Sequence, residues 1–211
     1  MLLFLAGFVI LILSIILHEV AHGYAANYLG DPTARISGRL TLNPIPHIDP
    51  VMSVALPLIL VLSGSPVIFG SAKPVPIDPF NFRESRKDMG IVGLAGPGTN
   101  LALAILAALL TKILLIIDPP IYYTEVPLAL LRLMAFYNLL LAAFNLIPIP
   151  PLDGSRILAA ILPEKQAHFL DFLEPYGIFI LFFLLLFPVG GFSLGYMIFN
   201  LVSFWLRLLG F

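Results

Sequence analysis

The chain has 211 residues, 11 Lys or Arg and 12 Asp or Glu, so 11% are charged against 60% hydrophobic, with a mean hydropathy of +1.02. A soluble domain carries about 25% charged residues, so this composition excludes a water-exposed globule and places the chain in a lipid bilayer. The net charge of −1 without a long basic run excludes nucleic acid as a partner, and the absence of cysteine leaves only His, Asp and Glu to hold a metal.

A spanning helix needs about 20 mostly apolar residues. The first such run extends from Leu2 to about Leu29. No Lys or Arg precedes Arg35, so it reads as a retained transmembrane helix and not a secretory leader. Ile36, Leu40 and Leu42 alternate between Asp31-Pro32 and the loop beyond, with Gly38 among them, which predicts short strands. Val51 to Phe69 is apolar but contains Pro57 and Ser63-Gly64-Ser65-Pro66. Only about 12 residues are continuous there, which fits a re-entrant segment better than a span. Lys73-Pro74-Val75-Pro76-Ile77-Asp78-Pro79 cannot be helix, because proline removes donors and restricts the residue before it.

Ile91 to Ile117 and Pro127 to Ile147 predict two more spans. Gly93, Ala95, Gly96 and Gly98 would let a neighbouring helix approach the first of them closely. Ile147-Pro148-Ile149-Pro150-Pro151 should be extended, and it interrupts the apolar region just before Asp153-Gly154. Non-helical backbone at membrane depth survives only where protein or a water-filled cavity satisfies it, so this break marks a candidate site. Ala167 to Phe187 and Ser193 to Leu209 complete the set. The fold class is an all-α polytopic membrane protein with about five to six transmembrane helices, a re-entrant segment and short membrane-associated strands. It forms a single domain over residues 1–211, with a catalytic core at about 1–162 and C-terminal helices at about 163–211.

The sharpest motif is His18-Glu19-Val20-Ala21-His22. On a helix the two histidines share one face and can bind one Zn²⁺, with Glu19 placed as general base toward a water activated by the metal. This composition gives roughly 0.002 chance occurrences of that spacing, and the bland alternative is a polar pair satisfied inside a helix bundle. Zinc catalysis generally uses three protein ligands. Candidates for the third are Asp153, His47, Asp49, His168, Asp171 and Glu174. Asp153 leads because it follows the broken segment and precedes Gly154, which permits close approach. His47 and Asp49 read as loop-ordering residues, and His168, Asp171 and Glu174 as a wet interfacial stripe.

These residues resemble a known family. HEVAH in a membrane helix, AGPGTN at Ala95 to Asn100 and FNLIPIPPLDG at Phe144 to Gly154 look like the site-2 protease family of intramembrane zinc metalloproteases. GRLTLNP at Gly38 to Pro44, HIDP at His47 to Pro50 and AKPVP at Ala72 to Pro76 are similar to a compact prokaryotic branch. The family's PDZ insertion or CBS pair has no room here. The resemblance implies one zinc per chain held by His18, His22 and Asp153, with Glu19 catalytic. It also implies that Asn145 holds substrate or polarises its carbonyl; the plain alternative is that its amide satisfies backbone freed by the prolines. For Asn100 the same structural role is favoured. The implied activity is hydrolysis of peptide bonds in or near the transmembrane segments of a protein or peptide substrate, as in regulated intramembrane proteolysis. A metal or ion transporter and an inactive membrane scaffold are the alternatives.

One zinc cannot take ligands from both faces of a hydrocarbon core about 30 Å thick. The helices ending near His22 and before Asp153 must therefore end on one side, which favours re-entry of Val51 to Phe69 over crossing. That arrangement groups Arg35, Arg39, Lys73, Arg83, Arg86, Lys87, Arg156, Lys165 and Arg207 on the metal side. The positive-inside rule makes that side cytoplasmic, and the resemblance implies a prokaryotic inner membrane.

Overall fold

The computed structural model describes residues 2–63, 72–117 and 121–211. They form α1 (Leu2–Leu29), α2 (Thr33–Ile36), α3 (Leu56–Leu62), α4 (Ser85–Ile117), α5 (Ile121–Asn145), α6 (Asp153–Ile161), α7 (Glu164–Leu186) and α8 (Leu194–Leu209). Four stretches are long and apolar enough to cross a membrane: Leu3–Leu29, Ser85–Ile117, Thr124–Asn145 and Glu164–Leu186. Phe4, Phe8, Leu109, Ile116, Phe179 and Phe183 on their outer faces are exposed. Such a surface suits lipid and would drive association in water.

α4 occupies the centre and packs against α1, α5 and α6. Its buried residues include Gly90, Gly93, Gly96, Asn100, Ala104, Ala107 and Thr111, recurring every three or four positions. Small side chains on that period let neighbouring backbones approach, the packing mode open to helices in lipid. The contacts also fix directions. His18 meets Asn100 while His22 meets Val92, so α1 runs antiparallel to α4. Ser14 meets Asn138 and Gly7 lies beside Leu133, so α1 runs parallel to α5. α1 and α5 thus end on the same side, and the turn into α6 arrives beside His18 and His22.

The turn itself, from Leu146 to Leu152, is non-helical as the prolines require, but it is a run of tight turns and not extended. Ile149 N–H donates to Ile147 O at 2.9 Å and Leu152 N–H to Ile149 O at 3.0 Å. α5 begins before the expected Pro127 and carries that proline inside it.

No strand forms among the described residues, which corrects the expectation for Ile36 to Leu42. The amides there are used locally: Ile36 N–H donates to Pro32 O, Ser37 N–H to Thr33 O and Arg39 N–H to Ala34 O. Gly38, at φ +65°, then turns the chain, and Ile36 and Leu42 both face outward. Three alternating apolar residues could not outweigh those local hydrogen bonds.

Pro50–Ala55 forms a π-helical turn capped by Asp49, whose carboxylate accepts from Val51 and Met52 N–H at 2.9 and 2.8 Å. α3 continues directly from this turn, with Pro57 as its second residue. The expected proline break is thus a change of helical pitch. Gly64 to Phe69, the second part of the segment expected to re-enter, lie outside the described residues.

α8 has 16 residues, about 24 Å, less than a hydrocarbon core of about 30 Å. Gly210 at its end lies beside Lys112, toward the far end of α4. Arg207 therefore belongs with the end remote from His18, not with the other basic residues as the count of crossings predicted.

The chain from α1 to α4 is tied back on itself. Buried Asp31 accepts hydrogen bonds from Thr33 N–H, the Thr33 hydroxyl, Asp78 N–H at 2.8 Å and Asn81 Nδ2 at 2.8 Å. Buried Arg39 donates to the carbonyls of Pro46, Lys73 and Pro74. Burial pushes the Asp31 carboxyl up, but the hydrogen bonds from Thr33, Asp78 and Asn81 outweigh it and hold the pKa below the usual range. A depressed carboxylate stabilises the fold above its unfolded pKa and loses that contribution as pH falls through the folded value. Asp31→Ala should lower the stability of the purified protein by about 1–3 kcal/mol at neutral pH, with the difference from wild type shrinking in strong acid. Thermal unfolding at the wild-type temperature would remove Asp31 from this role.

Candidate metal centre

His18 and His22 stand one turn apart on the inner face of α1, and Asp153 opens α6. All three are buried, and their ligand atoms lie within 4.8 Å of one another. The Nε2 atoms of His18 and His22 are 3.0 Å apart. Asp153 Oδ2 lies 3.1 Å from His18 Nε2 and 3.2 Å from His22 Nε2. Ligands about 2.0–2.1 Å from a tetrahedral zinc stand about 3.3 Å apart, close to this triangle.

The outward ring nitrogens decide what the inward ones offer. His18 Nδ1 donates to Asn100 Oδ1 at 2.6 Å, and His22 Nδ1 donates to Val92 O at 2.7 Å. A neutral imidazole that donates from Nδ1 presents a lone pair at Nε2. Two such lone pairs and a carboxylate oxygen therefore face one another with no proton between them, and Asp153 Oδ2 is buried without a hydrogen bond. Three buried acceptors in contact repel unless a cation sits among them. The donor set, two imidazoles and a carboxylate, is one zinc accepts.

Two close approaches make the triangle possible. A Cβ on Gly96 would stand 2.4 Å from His22 Nε2 and 2.6 Å from His18 Cε1. A Cβ on Gly154 would stand 2.3 Å from Leu146 O. The second was expected from the sequence; for the first, small-residue spacing suggested only helix packing. Asn100 also departs from expectation, since its amide oxygen serves His18 and not the backbone. Asn138 and Ser14, which continue that polar contact, carried no sequence signal beyond being polar residues in apolar helices.

Glu19 is set apart from the triangle. Its Oε2 accepts the Val75 N–H at 2.9 Å. With His18 and Asn145 it lines a cavity of about 480 Å³ whose other walls include Ile15, Leu141, Phe144 and Leu181. Asn145 donates to Leu141 O at 3.0 Å within its own helix, while its side chain borders that cavity. His47 is buried in the loop, donating to Thr41 O at 2.9 Å, and is not in the metal group. Asp49 caps the π-helical turn. His168 lies exposed between Glu164 and Asp171 on α7.

An apolar helical bundle enclosing a buried two-histidine, one-carboxylate group is the frame of a membrane metallohydrolase. A profile described as Peptidase family M50 matches residues 121–189. YwhC of Bacillus subtilis, assigned by its name to the zinc metalloproteases, is 37% identical over 191 residues, covering 87% of this chain and 81% of its own length. Rip2 of Mycobacterium tuberculosis H37Rv, assigned likewise, is 34% identical over 174 residues, 82% of this chain but 62% of Rip2. Zinc metalloprotease MJ0392 of Methanocaldococcus jannaschii is 28% identical over 163 residues, and the match spans 35% of it. No solved structure matches the chain. The chain belongs to peptidase family M50, the site-2 proteases. It is an integral-membrane, zinc-dependent endopeptidase. The transporter and scaffold alternatives find no support among these relatives.

The geometry separates the candidate ligands by experiment. Asp153→Ala and Gly96→Ala should each lower the zinc content of the purified protein, whereas His47→Ala should leave it unchanged. Metal analysis after dialysis against a weak chelator measures this. Loss of zinc in His47→Ala with retention in Asp153→Ala would exchange the two assignments.

Proposed function

We propose that His18, His22 and Asp153 hold one Zn²⁺ and that Glu19 is the general base and then the general acid. The carrying observation is the convergence of three buried acceptor atoms with no donor among them, beside a carboxylate that faces a largely apolar cavity. When bound there, zinc supplies Lewis acidity that makes water acidic near neutral pH and polarises a carbonyl. Glu19 takes the proton of the attacking water at the oxygen that Val75 leaves free. The water oxygen bonds to the scissile carbonyl carbon, and Glu19 passes the proton to the departing nitrogen as the C–N bond breaks. Asn145 borders the same cavity and is assigned to the substrate backbone, its amide able to donate toward a developing oxyanion.

The substrate class we infer is a transmembrane protein or peptide. The cavity walls are mainly apolar, and Ile15, Leu141 and Leu181 belong to helices that face lipid elsewhere. A helical peptide hides its carbonyls, so the bond to be cut must be locally unwound within the cavity.

The arrangement in the bilayer is part of the same reading. Asp31, just after α1, is hydrogen-bonded to Asp78 and Asn81, just before α4, so the intervening chain returns to the end it left. This supports re-entry of Val51 to Phe69 from the metal side. Eight of the nine basic residues assigned to loops remain at that end, Arg207 being the exception, which favours the cytoplasmic face of a prokaryotic inner membrane.

Glu19→Gln should retain zinc yet lose about 10²–10⁴-fold or more in cleavage of a membrane peptide; turnover near wild type would refute the assigned base. Single cysteines at exposed Ser37 and Ser85 should react with a membrane-impermeant thiol reagent from the same side. Labelling from opposite sides would refute re-entry.

A further inference from the structure

The hydrogen bond that His18 gives to Asn100 is the first link of a longer buried chain. Asn100 Nδ2 donates to Asn138 Oδ1 at 2.8 Å. Asn138 Nδ2 donates both to Met134 O at 2.8 Å and to Ser14 Oγ at 2.9 Å. Ser14 Oγ donates to Ile10 O at 2.8 Å. Asn100 and Asn138 are fully buried and Ser14 nearly so. The links join α1, α4 and α5 inside the apolar bundle.

The chain has a direction, and one atom sets it. Met134 O is a backbone carbonyl and can only accept. Turning the Asn138 amide over would press its oxygen against that carbonyl, so its nitrogen must face Met134. Its oxygen then faces Asn100, so the Asn100 nitrogen must face Asn138. That leaves only the Asn100 oxygen for His18, and an oxygen there demands a proton on Nδ1. His18 Nε2 is thereby left with its lone pair on the metal side.

We propose that Asn138 is a positioning residue for zinc. By fixing the orientation of the Asn100 amide, it selects the His18 tautomer that can ligate, with Ser14 taking its second N–H. The proposal rests on His18 being a ligand, as argued above. Without Asn138, the Asn100 amide can turn over and offer a donor to Nδ1. The proton then moves to Nε2, the tautomer that cannot bind metal. Partners of ligating histidines typically influence metal affinity about 10–100-fold.

The test is a double-mutant cycle read by zinc affinity in chelator competition. Asn138→Leu should weaken zinc binding by about 10–100-fold. In an Asn100→Asp background the same change should cost nothing, because a carboxylate presents an acceptor to His18 whichever way it turns. ¹⁵N spectra of histidine-labelled, zinc-stripped protein at mildly alkaline pH should show His18 protonated at Nδ1 in wild type and a tautomer mixture in Asn138→Leu. Equal affinity losses in both backgrounds, or a weakened variant whose His18 keeps the Nδ1 proton, would assign Asn138 to packing and overturn the proposal. Wild-type affinity in Asn138→Leu would overturn it as well. His18→Ala separates the two readings: retained tight zinc binding there removes His18 as a ligand and leaves the ¹⁵N comparison to judge Asn138 alone.

Discussion

Three lone-pair atoms placed within about hydrogen-bond distance of one another, away from water, are the constraint on which the rest of the bundle depends. A cation among them makes that arrangement favourable, and a rigid frame holds the atoms in place for it. The frame is α4. Its small-residue stripe brings α1, α5 and α6 to one short stretch of helix, and Gly96 is where the imidazoles lie against it. A bulkier α4 would still give an apolar bundle, but the histidines could not reach Asp153.

The same scarcity of water explains the outward partners of the histidines. Each Nδ1 finds its acceptor inside the protein, an amide for His18 and a backbone carbonyl for His22. Pro97 lies on the helix that supplies both. Its missing N–H frees the carbonyl of Gly93, four residues earlier, and not the Val92 carbonyl that His22 uses, so the acceptor for His22 owes nothing to the proline.

Much of the site was legible in the sequence because it is written in local spacing. His18 and His22 share a face through the helical repeat, and Asp153 is marked by the prolines that stop α5 before it. The long apolar runs marked five spans where four of the described helices are long enough to cross, because the run from Ser193 to Leu209 forms a helix of only 16 residues. What was hidden depends on packing between distant segments. Asn100 and Asn138 are 38 residues apart, and their meeting follows from the crossing of α4 and α5. Gly96 looked like any small residue until the imidazoles were placed against it. Ile36 to Leu42 was misread as strand because alternating apolarity ignores Asp31, whose hydrogen bonds wind the next residues into a turn. Arg207 was misassigned because counting crossings assumes that each apolar run traverses the bilayer fully.

The strap before α4 bears on how the proposed base is kept distinct from the proposed ligands. Glu19 neighbours His18 in sequence, and a free carboxylate there could itself coordinate the metal. Its Oε2 is instead engaged by the N–H of Val75. Pro74 and Pro76 flank that residue and have no N–H, so Val75 provides the single donor on this part of the strap. Arg39 holds the carbonyls of Lys73 and Pro74, and Asp31 holds the N–H of Asp78, so both ends of the strap are fixed. One carboxylate oxygen is thus committed to the scaffold and the other is left for the proton transfer proposed for Glu19, whereas Asp153 turns its Oδ2 to the two imidazoles.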